Sequence, residues 1–132
     1  MSDQPVELWF NPSCSKCRMA REMLDAAGTE YVVRRYLEEP PNVAQLDEVL
    51  TRLGLEPWDI TRMGEPVAES LGLAERPRER GEWLRLLVEH PVLIQRPILV
   101  TADGSAWIGR EPASVEAAIA AGGAARGSGQ VD

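Results

Sequence analysis

The sequence predicts an α/β fold in which a small mixed sheet is built in the order β–α–β and later β–β–α, around a helical insert. A strand, a helix and a second strand follow one another before residue 37, and two short strands with an Asp-Gly turn precede a last helix. The segment between them, about 42–89, contains no strand candidate. A chain of 132 residues has room for one such domain, predicted at 1–121, and the small polar residues of 122–132 predict a flexible tail.

The first elements predict a βαβ unit. The partly alternating segment 6–10 ends at the turn signal Asn11-Pro12-Ser13 and predicts a strand. A helix beginning at Ser13 or Cys14 is expected to end at Gly28, with apolar residues at helical spacing in Ala20, Met23, Leu24 and Ala27. The β-branched and aromatic residues of 31–36 predict the second strand. Two strands joined in this way are expected to pair in parallel through a right-handed crossover.

The rest of the chain is predicted to be helical and then to return to the sheet. Helical spacing indicates a helix ending at Gly54, short helical turns at 57–60 and 65–71, and a helix over 79–89. Strands are expected at 97–100 and 105–108, because the Asp103-Gly104 turn between them is typical of a hairpin. The last helix is expected from about Pro112 to Ala120.

Composition limits the classes of partner. The chain carries 14 basic and 21 acidic residues, for a net charge of −7, which disfavours non-specific binding to nucleic acid or to anionic membranes. No apolar run approaches the roughly 18–20 residues of a membrane span, and the first five residues lack the basic and apolar regions of a signal peptide. We therefore expect a cytoplasmic protein with no nucleic-acid or membrane partner. A monomer is also expected, although none of these observations bears on the oligomeric state.

The chemistry is predicted to lie at a Cys-x-x-Cys motif, Cys14 to Cys17, placed where the first helix begins. A helix N-terminus favours an anion, and Lys16 and Arg18 add positive charge, so Cys14 is expected to ionise readily. Cys17, one turn later, could then attack a bond at the first sulfur. The alternatives are two inert buried thiols or half of a zinc site. His90 is the chain's single histidine, so no metal site is predicted.

Three arginines lie at the ends of predicted elements, where sites are usually built: Arg62, Arg96 and Arg110. Each alone is typical of a surface ion pair. Together they would supply forked donors suited to a tetrahedral oxyanion. Pro97, directly after Arg96, suits the first position of a strand and could follow a cis peptide bond.

Four motifs in the same order resemble those of the glutaredoxin-type arsenate reductases, a family whose wider circle includes the Spx-type transcription regulators. They are Asn11-Pro12-Ser13-Cys14 with Arg18, the segment Tyr-Leu-Glu-Glu-Pro-Pro at 36–41, Leu-Gly-Leu-Ala-Glu at 71–75, and His-Pro-Val-Leu-Ile-Gln-Arg-Pro-Ile at 90–98. The resemblance extends over about 6–119. It implies a thioredoxin-like fold with a helical insert at about 42–89.

The resemblance also implies roles for single residues. Cys14 takes the place of the family's nucleophile, and the substrate-binding residues are Arg62, Arg96 and Arg110, to which we add Arg18. Pro97 takes the place of a cis-proline. The implied reaction converts arsenate to arsenite, with no tightly bound cofactor, glutathione or another small thiol as electron donor, and glutaredoxin or thioredoxin as reductant.

Two positions depart from the family's pattern. Phe10 stands where some relatives have a histidine, four residues before the nucleophile, so ionisation of Cys14 would depend on the helix terminus and the arginines. Cys17 stands where well-known reductases have a serine, so the chain could close its own disulfide between Cys14 and Cys17.

Two other functions stay open at this point. The same Cys-x-x-Cys is the redox switch of the Spx-type regulators, which dock on RNA polymerase, although Arg110 favours the reductase. A general thiol-disulfide oxidoreductase is the third candidate. The three arginines weigh against it, because disulfide exchange does not use an oxyanion clamp.

Overall fold

A computed structural model describes residues 5–130, with side chains described for 5–121. The chain divides into two compact units. One is built from the described residues up to Arg35 together with those from Arg96 onward, and the other is Tyr36–Gln95. The prediction of a single domain at 1–121 stays a prediction.

The first unit contains a four-stranded mixed sheet, as the sequence predicts. Its strands are β1 (Val6–Trp9), β2 (Tyr31–Arg34), β3 (Ile98–Val100) and β4 (Ala106–Ile108), in the order β2-β1-β3-β4. β1 pairs in parallel with β2 and antiparallel with β3, and β3 pairs antiparallel with β4. The parallel pair and the C-terminal hairpin are therefore where the sequence patterns predict them. β2 ends two residues before the predicted boundary at residue 36.

Two helices, α1 (Ser15–Ala27) and α5 (Pro112–Gln130), accompany this sheet. α1 ends at Gly28, whose φ of 69° lies in the left-handed region that glycine adopts without strain. The core that joins both helices to the sheet contains ten buried side chains, and β1 lies at its centre: Val6, Leu8, Phe10, Cys14, Cys17, Ala20, Leu24, Leu99, Val115 and Ala118. Because the two cysteines belong to this core, the packing of the unit directly positions the Cys-x-x-Cys motif.

α5 continues past residue 120, where the sequence predicts its end. The predicted tail at 122–132 lies outside the residues whose side chains are described, so its flexibility stays a prediction. Among the described residues, no helix is both long and apolar enough to cross a membrane.

The second unit, all of which is described, is helical apart from one isolated bridge between Thr61 and Ile94. Its helices are α2 (Val43–Leu53), α3 (Pro66–Ser70) and α4 (Arg80–Glu89), with 3₁₀ turns at Pro57–Ile60, Leu73–Glu75 and Pro91–Leu93. Asn42 begins α2 with a capping box, in which its side chain accepts from the Gln45 N–H and the Gln45 side chain accepts from the Asn42 N–H. The helical content predicted for 42–89 is thus present.

Candidate active site

Cys14 lies at the junction between the end of β1 and the start of α1. It occupies the N-cap of α1 with extended backbone angles, φ −98° and ψ 122°. The turn before it is fixed by Asn11, whose carbonyl accepts the Cys14 N–H at 3.0 Å and whose side-chain Oδ1 accepts the Ser13 N–H at 2.9 Å. Only 7% of Cys14 is exposed. The Asn-Pro-Ser-Cys sequence therefore forms a rigid turn that presents the thiol at a helix N-terminus.

The surroundings of Cys14 favour its thiolate. Burial by itself raises the pKa of this thiol, but hydrogen bonds from the Arg96 side chain, from the Cys17 N–H and side chain, and from the Lys16 N–H outweigh it. Together they lower the pKa of Cys14 from its ordinary 9.0 to about 7. About half of the Cys14 thiols are then ionised at neutral pH, which is the state that acts as a nucleophile.

Cys17 has the opposite character. It is fully buried, and this burial, with the nearby negative charge of the Cys14 thiolate, raises its pKa to about 12. A weak hydrogen bond from the Asn11 N–H, 3.5 Å from Cys17 Sγ, lowers the pKa without compensating for the burial. Both cysteines are free thiols. Only Cys14 is ionised to a useful extent near pH 7.

Arg96 reaches this site from the turn before β3. The Arg96–Pro97 peptide bond is cis, and Pro97 is buried. The Arg110 guanidinium donates to the Arg96 carbonyl, with Nη1 and O 3.0 Å apart. Next to it, the Gly109 N–H donates to the Pro97 carbonyl at 2.9 Å. The first unit therefore brings together four of the predicted site residues: Cys14, Cys17, Arg96 and Arg110.

Gly109 contacts the Arg96–Pro97 turn and is not among the residues that the sequence predicts for the site. It is buried and lies between the end of β4 and Arg110. The sequence holds no signal for its role, because a single glycine after a predicted strand is a common turn feature. The atoms closest to an added Cβ at this position belong to residues that are distant in sequence or in other elements.

The other two arginines make local contacts. Arg18, on the exposed side of α1, donates from Nη1 to the Pro12 carbonyl at 2.9 Å. Arg62 belongs to the second unit, where its Nε lies 3.1 Å from Glu65 Oε2 in an ion pair and its Nη1 donates to Gln95 Oε1 at 3.3 Å. Substrate binding by these two residues stays a prediction.

Phe10 lies at the position where some reductases have histidine. It is 4% exposed and packs in the core of the first unit, and the Arg21 guanidinium lies over its ring, 5.4 Å from the centroid. An aromatic ring cannot accept the proton of the thiol. The described groups that favour ionisation of Cys14 are the N–H groups of the helix terminus, the Cys17 thiol and the Arg96 side chain.

The described residues contain no cluster of three or more histidine, cysteine, aspartate or glutamate side chains able to hold a metal ion. The site offers a reactive thiolate, a second, protonated thiol one helical turn away, the Arg96 guanidinium beside the thiolate, and the Arg110 guanidinium on the Arg96 carbonyl. This set is suited to nucleophilic attack by sulfur on an anionic centre.

Comparison with known proteins gives a consistent result. The ArsC family model matches residues 9–118. A Streptomyces viridochromogenes protein, described as an uncharacterized protein in the glnII region, is 51% identical over 117 residues, covering 86% of this chain and 98% of its own length. An arsenate reductase of Neisseria meningitidis is 33% identical, over 86% of this chain and 97% of its own. The solved structure of an arsenate reductase from Vibrio cholerae superimposes with a TM-score of 0.80 at 34% identity, over 86% of this chain and 96% of its own. With this fold, this thiol site and a match over most of its length, the chain belongs to the ArsC family.

Proposed function

We propose that this protein reduces arsenate to arsenite with Cys14 as the nucleophile. The observation that carries the proposal is the environment of Cys14, where a helix N-terminus and the Arg96 side chain lower the pKa of the thiol to about 7. The relatives named arsenate reductase, at 33–34% identity, support arsenate as the substrate.

The reaction begins with arsenate bound by guanidinium groups near Cys14. Arg96 lies on the turn before β3, Arg110 follows β4 and donates to the Arg96 carbonyl, and the resemblance adds Arg62 and Arg18 to the binding residues. The Cys14 thiolate attacks arsenic, and one arsenate oxygen leaves as water after taking up two protons. A sulfur–arsenic bond has formed, and arsenic is still in the +5 state.

Reduction follows when a second thiolate attacks the Cys14 sulfur. The sulfur–arsenic bond breaks, its electron pair stays on arsenic, and arsenite leaves in the +3 state. The two sulfurs are now joined in a disulfide, which a further thiol must reduce. We propose glutathione or another small thiol as the electron donor, with glutaredoxin or thioredoxin clearing the disulfide. Cys17 is the internal candidate for the second thiol.

The test is arsenite production from arsenate by the purified, reduced protein. One reaction contains glutathione with glutaredoxin, and the other contains thioredoxin with its reductase. Cys14→Ser is expected to abolish turnover and Arg96→Ala to reduce it strongly. Arg52→Ala is the matched control, because Arg52 makes only an exposed ion pair with Glu48 on α2. Wild-type turnover by Cys14→Ser would overturn the proposal.

Cys17→Ser decides the electron route. Full glutathione-dependent activity in this variant would exclude an obligatory disulfide between Cys14 and Cys17. Loss of activity, with Cys14 still ionising normally, would make Cys17 the second thiol. The serine hydroxyl retains a donor toward the Cys14 sulfur, so the first step is disturbed little.

A redox-sensing regulator is the second candidate, and the pair of free thiols favours it. In that case the folded protein would yield no arsenite with either donor system. It would instead bind RNA polymerase differently in oxidised and reduced buffer, which a pull-down with the polymerase α-subunit would measure. A general thiol-disulfide oxidoreductase would reduce a model disulfide and would yield no arsenite with either donor system. The cytoplasmic location and monomeric state stay predictions.

A further inference from the structure

Two consecutive residues hold the turn that carries Arg96. The Gly109 N–H donates to the Pro97 carbonyl at 2.9 Å, and Arg110 Nη1 donates to the Arg96 carbonyl at 3.0 Å. The two accepting carbonyls belong to neighbouring peptide groups. The segment that follows β4 therefore holds the backbone of Arg96 and Pro97 in place, and this backbone sets the position of the Arg96 side chain.

Gly109 also has no room for a side chain. A Cβ atom at this position would lie 2.7 Å from Leu99 Cδ1, 3.1 Å from Val115 Cγ2 and 3.3 Å from Pro97 Cγ. Leu99 and Val115 are both fully buried, so neither can swing into solvent to make space. The third of these contacts is with the proline of the Arg96–Pro97 turn itself.

We propose that Gly109 is a positioning residue for the reactive thiol: its backbone N–H and its lack of a side chain hold the Arg96–Pro97 turn where the Arg96 side chain donates to Cys14. Gly109 touches neither the thiol nor a substrate and acts only through Arg96. The inference rests on the proposed function in one respect, that Cys14 is the reacting group.

A methyl group at residue 109 must displace something. If the backbone of residue 109 moves away from the core, its hydrogen bond to Pro97 lengthens and Arg110 moves with it. If Pro97 moves instead, Arg96 moves directly. The hydrogen bond from Arg96 to Cys14 favours the thiolate, and both displacements weaken it. Cys14 should therefore ionise less readily in the variant.

The test measures ionisation of Cys14 directly. Reduced protein is alkylated with iodoacetamide from pH 5.5 to 9.5, and the rate of the single Cys14 adduct is followed by mass spectrometry. Gly109→Ala is expected to raise the midpoint by about one pH unit and to slow alkylation at pH 6 about tenfold. Gly64→Ala is the matched control, because Gly64 is exposed with no atom within 4 Å of an added Cβ.

Action through Arg96 is tested by combining substitutions. Arg96→Ala alone should raise the midpoint, and adding Gly109→Ala to it should produce no further shift. Leu99→Val removes the atom closest to the new methyl group, so Gly109→Ala/Leu99→Val should recover part of the wild-type midpoint. This double variant also provides the measurement if Gly109→Ala does not fold by near-ultraviolet circular dichroism.

Two results would overturn the inference. One is a folded Gly109→Ala with the midpoint of wild type or, where Gly109→Ala does not fold, a Gly109→Ala/Leu99→Val variant whose midpoint equals that of Leu99→Val alone. The other is a shift that persists undiminished in the Arg96→Ala background, since Gly109 would then act on Cys14 by another route. The alkylation assay contains no arsenate, so a wild-type protein that fails to produce arsenite leaves this test intact.

Discussion

The lowered pKa of Cys14 predicts a stability that depends on pH in a defined window. The folded protein releases the Cys14 proton near pH 7, whereas an unfolded chain holds it to the ordinary pKa of 9.0. Between these values the unfolded state binds more protons, so the free energy of unfolding rises with pH. The contribution of Cys14 to the free energy of unfolding is complete above pH 9 and is lost as the pH falls through 7.

The expected size follows from the gap between the two pKa values. A difference of two pKa units corresponds to about 2.7 kcal/mol in the free energy of unfolding when Cys14 is ionised in both states. About 2.2 kcal/mol of this is gained between pH 6.5 and pH 9. The rest is missing because the folded thiol is already partly ionised at pH 6.5 and the unfolded thiol is only half ionised at pH 9. The Cys17 thiol acts in the opposite direction: because its pKa is raised from 9.0 to about 12, the free energy of unfolding falls as the pH rises through 9 toward 12.

The assay is urea unfolding followed by the fluorescence of the four tryptophans, in reducing buffer at pH 6.5, 8 and 9. Cys14→Ser removes the titrating group, so the free energy of unfolding of wild type minus that of Cys14→Ser should grow by about 2 kcal/mol over this range. Cys17→Ser is the matched control, and its difference from wild type should stay nearly constant up to pH 8. A constant difference for Cys14→Ser would refute the reasoning, because the folded protein would then not stabilise the thiolate.

Three further predictions concern other parts of the chain. Asn42→Ala removes the cap of α2 and should lower the free energy of unfolding by about 1 kcal/mol in urea, whereas Asn42→Asp should keep most of it; equal losses would contradict the capping role. Leu8→Ala, at a fully buried position of the central strand, should cost about 2–5 kcal/mol in the same assay, and a loss below 1 kcal/mol would contradict its place in the core. Arg62→Ala should raise the KM for arsenate about tenfold without changing the alkylation midpoint of Cys14; an unchanged KM would remove Arg62 from the binding residues.

Local signals explain why most of the fold could be predicted from the sequence. Gly28 and Gly54 end α1 and α2 where periodicity stops, and both adopt the left-handed conformation that such ends favour. The Asp103-Gly104 turn joins the two strands of the hairpin as expected. The 3₁₀ turns at Leu73–Glu75 and Pro91–Leu93 were not predicted, because three residues are too few to show a period.

The site was predictable only in part, for a physical reason. The identity of Cys14 as the more acidic thiol follows from its place at a helix start, which the sequence shows. The partner of the Arg110 guanidinium cannot be predicted from the sequence, because it is the backbone carbonyl of a residue 14 positions earlier and no local pattern indicates it. Gly109 is the extreme case: its neighbours Leu99, Val115 and Pro97 are ordinary core residues in the sequence, and only packing brings their atoms to the position of a missing Cβ.

The contrast between the two thiols determines the order in which they can react. Cys14 occupies the N-cap and receives backbone N–H groups, whereas Cys17, one turn later, points into the core. Cys17 therefore cannot compete for an electrophile near pH 7. Part of what raises its pKa is the negative charge of the Cys14 thiolate. Once the Cys14 sulfur is bonded to a neutral group such as another sulfur, that charge is gone, and burial is the main cause that still opposes ionisation of Cys17. A covalent bond of this kind at Cys14 is therefore expected to lower the pKa of Cys17, so that Cys17 becomes more reactive after Cys14 has reacted.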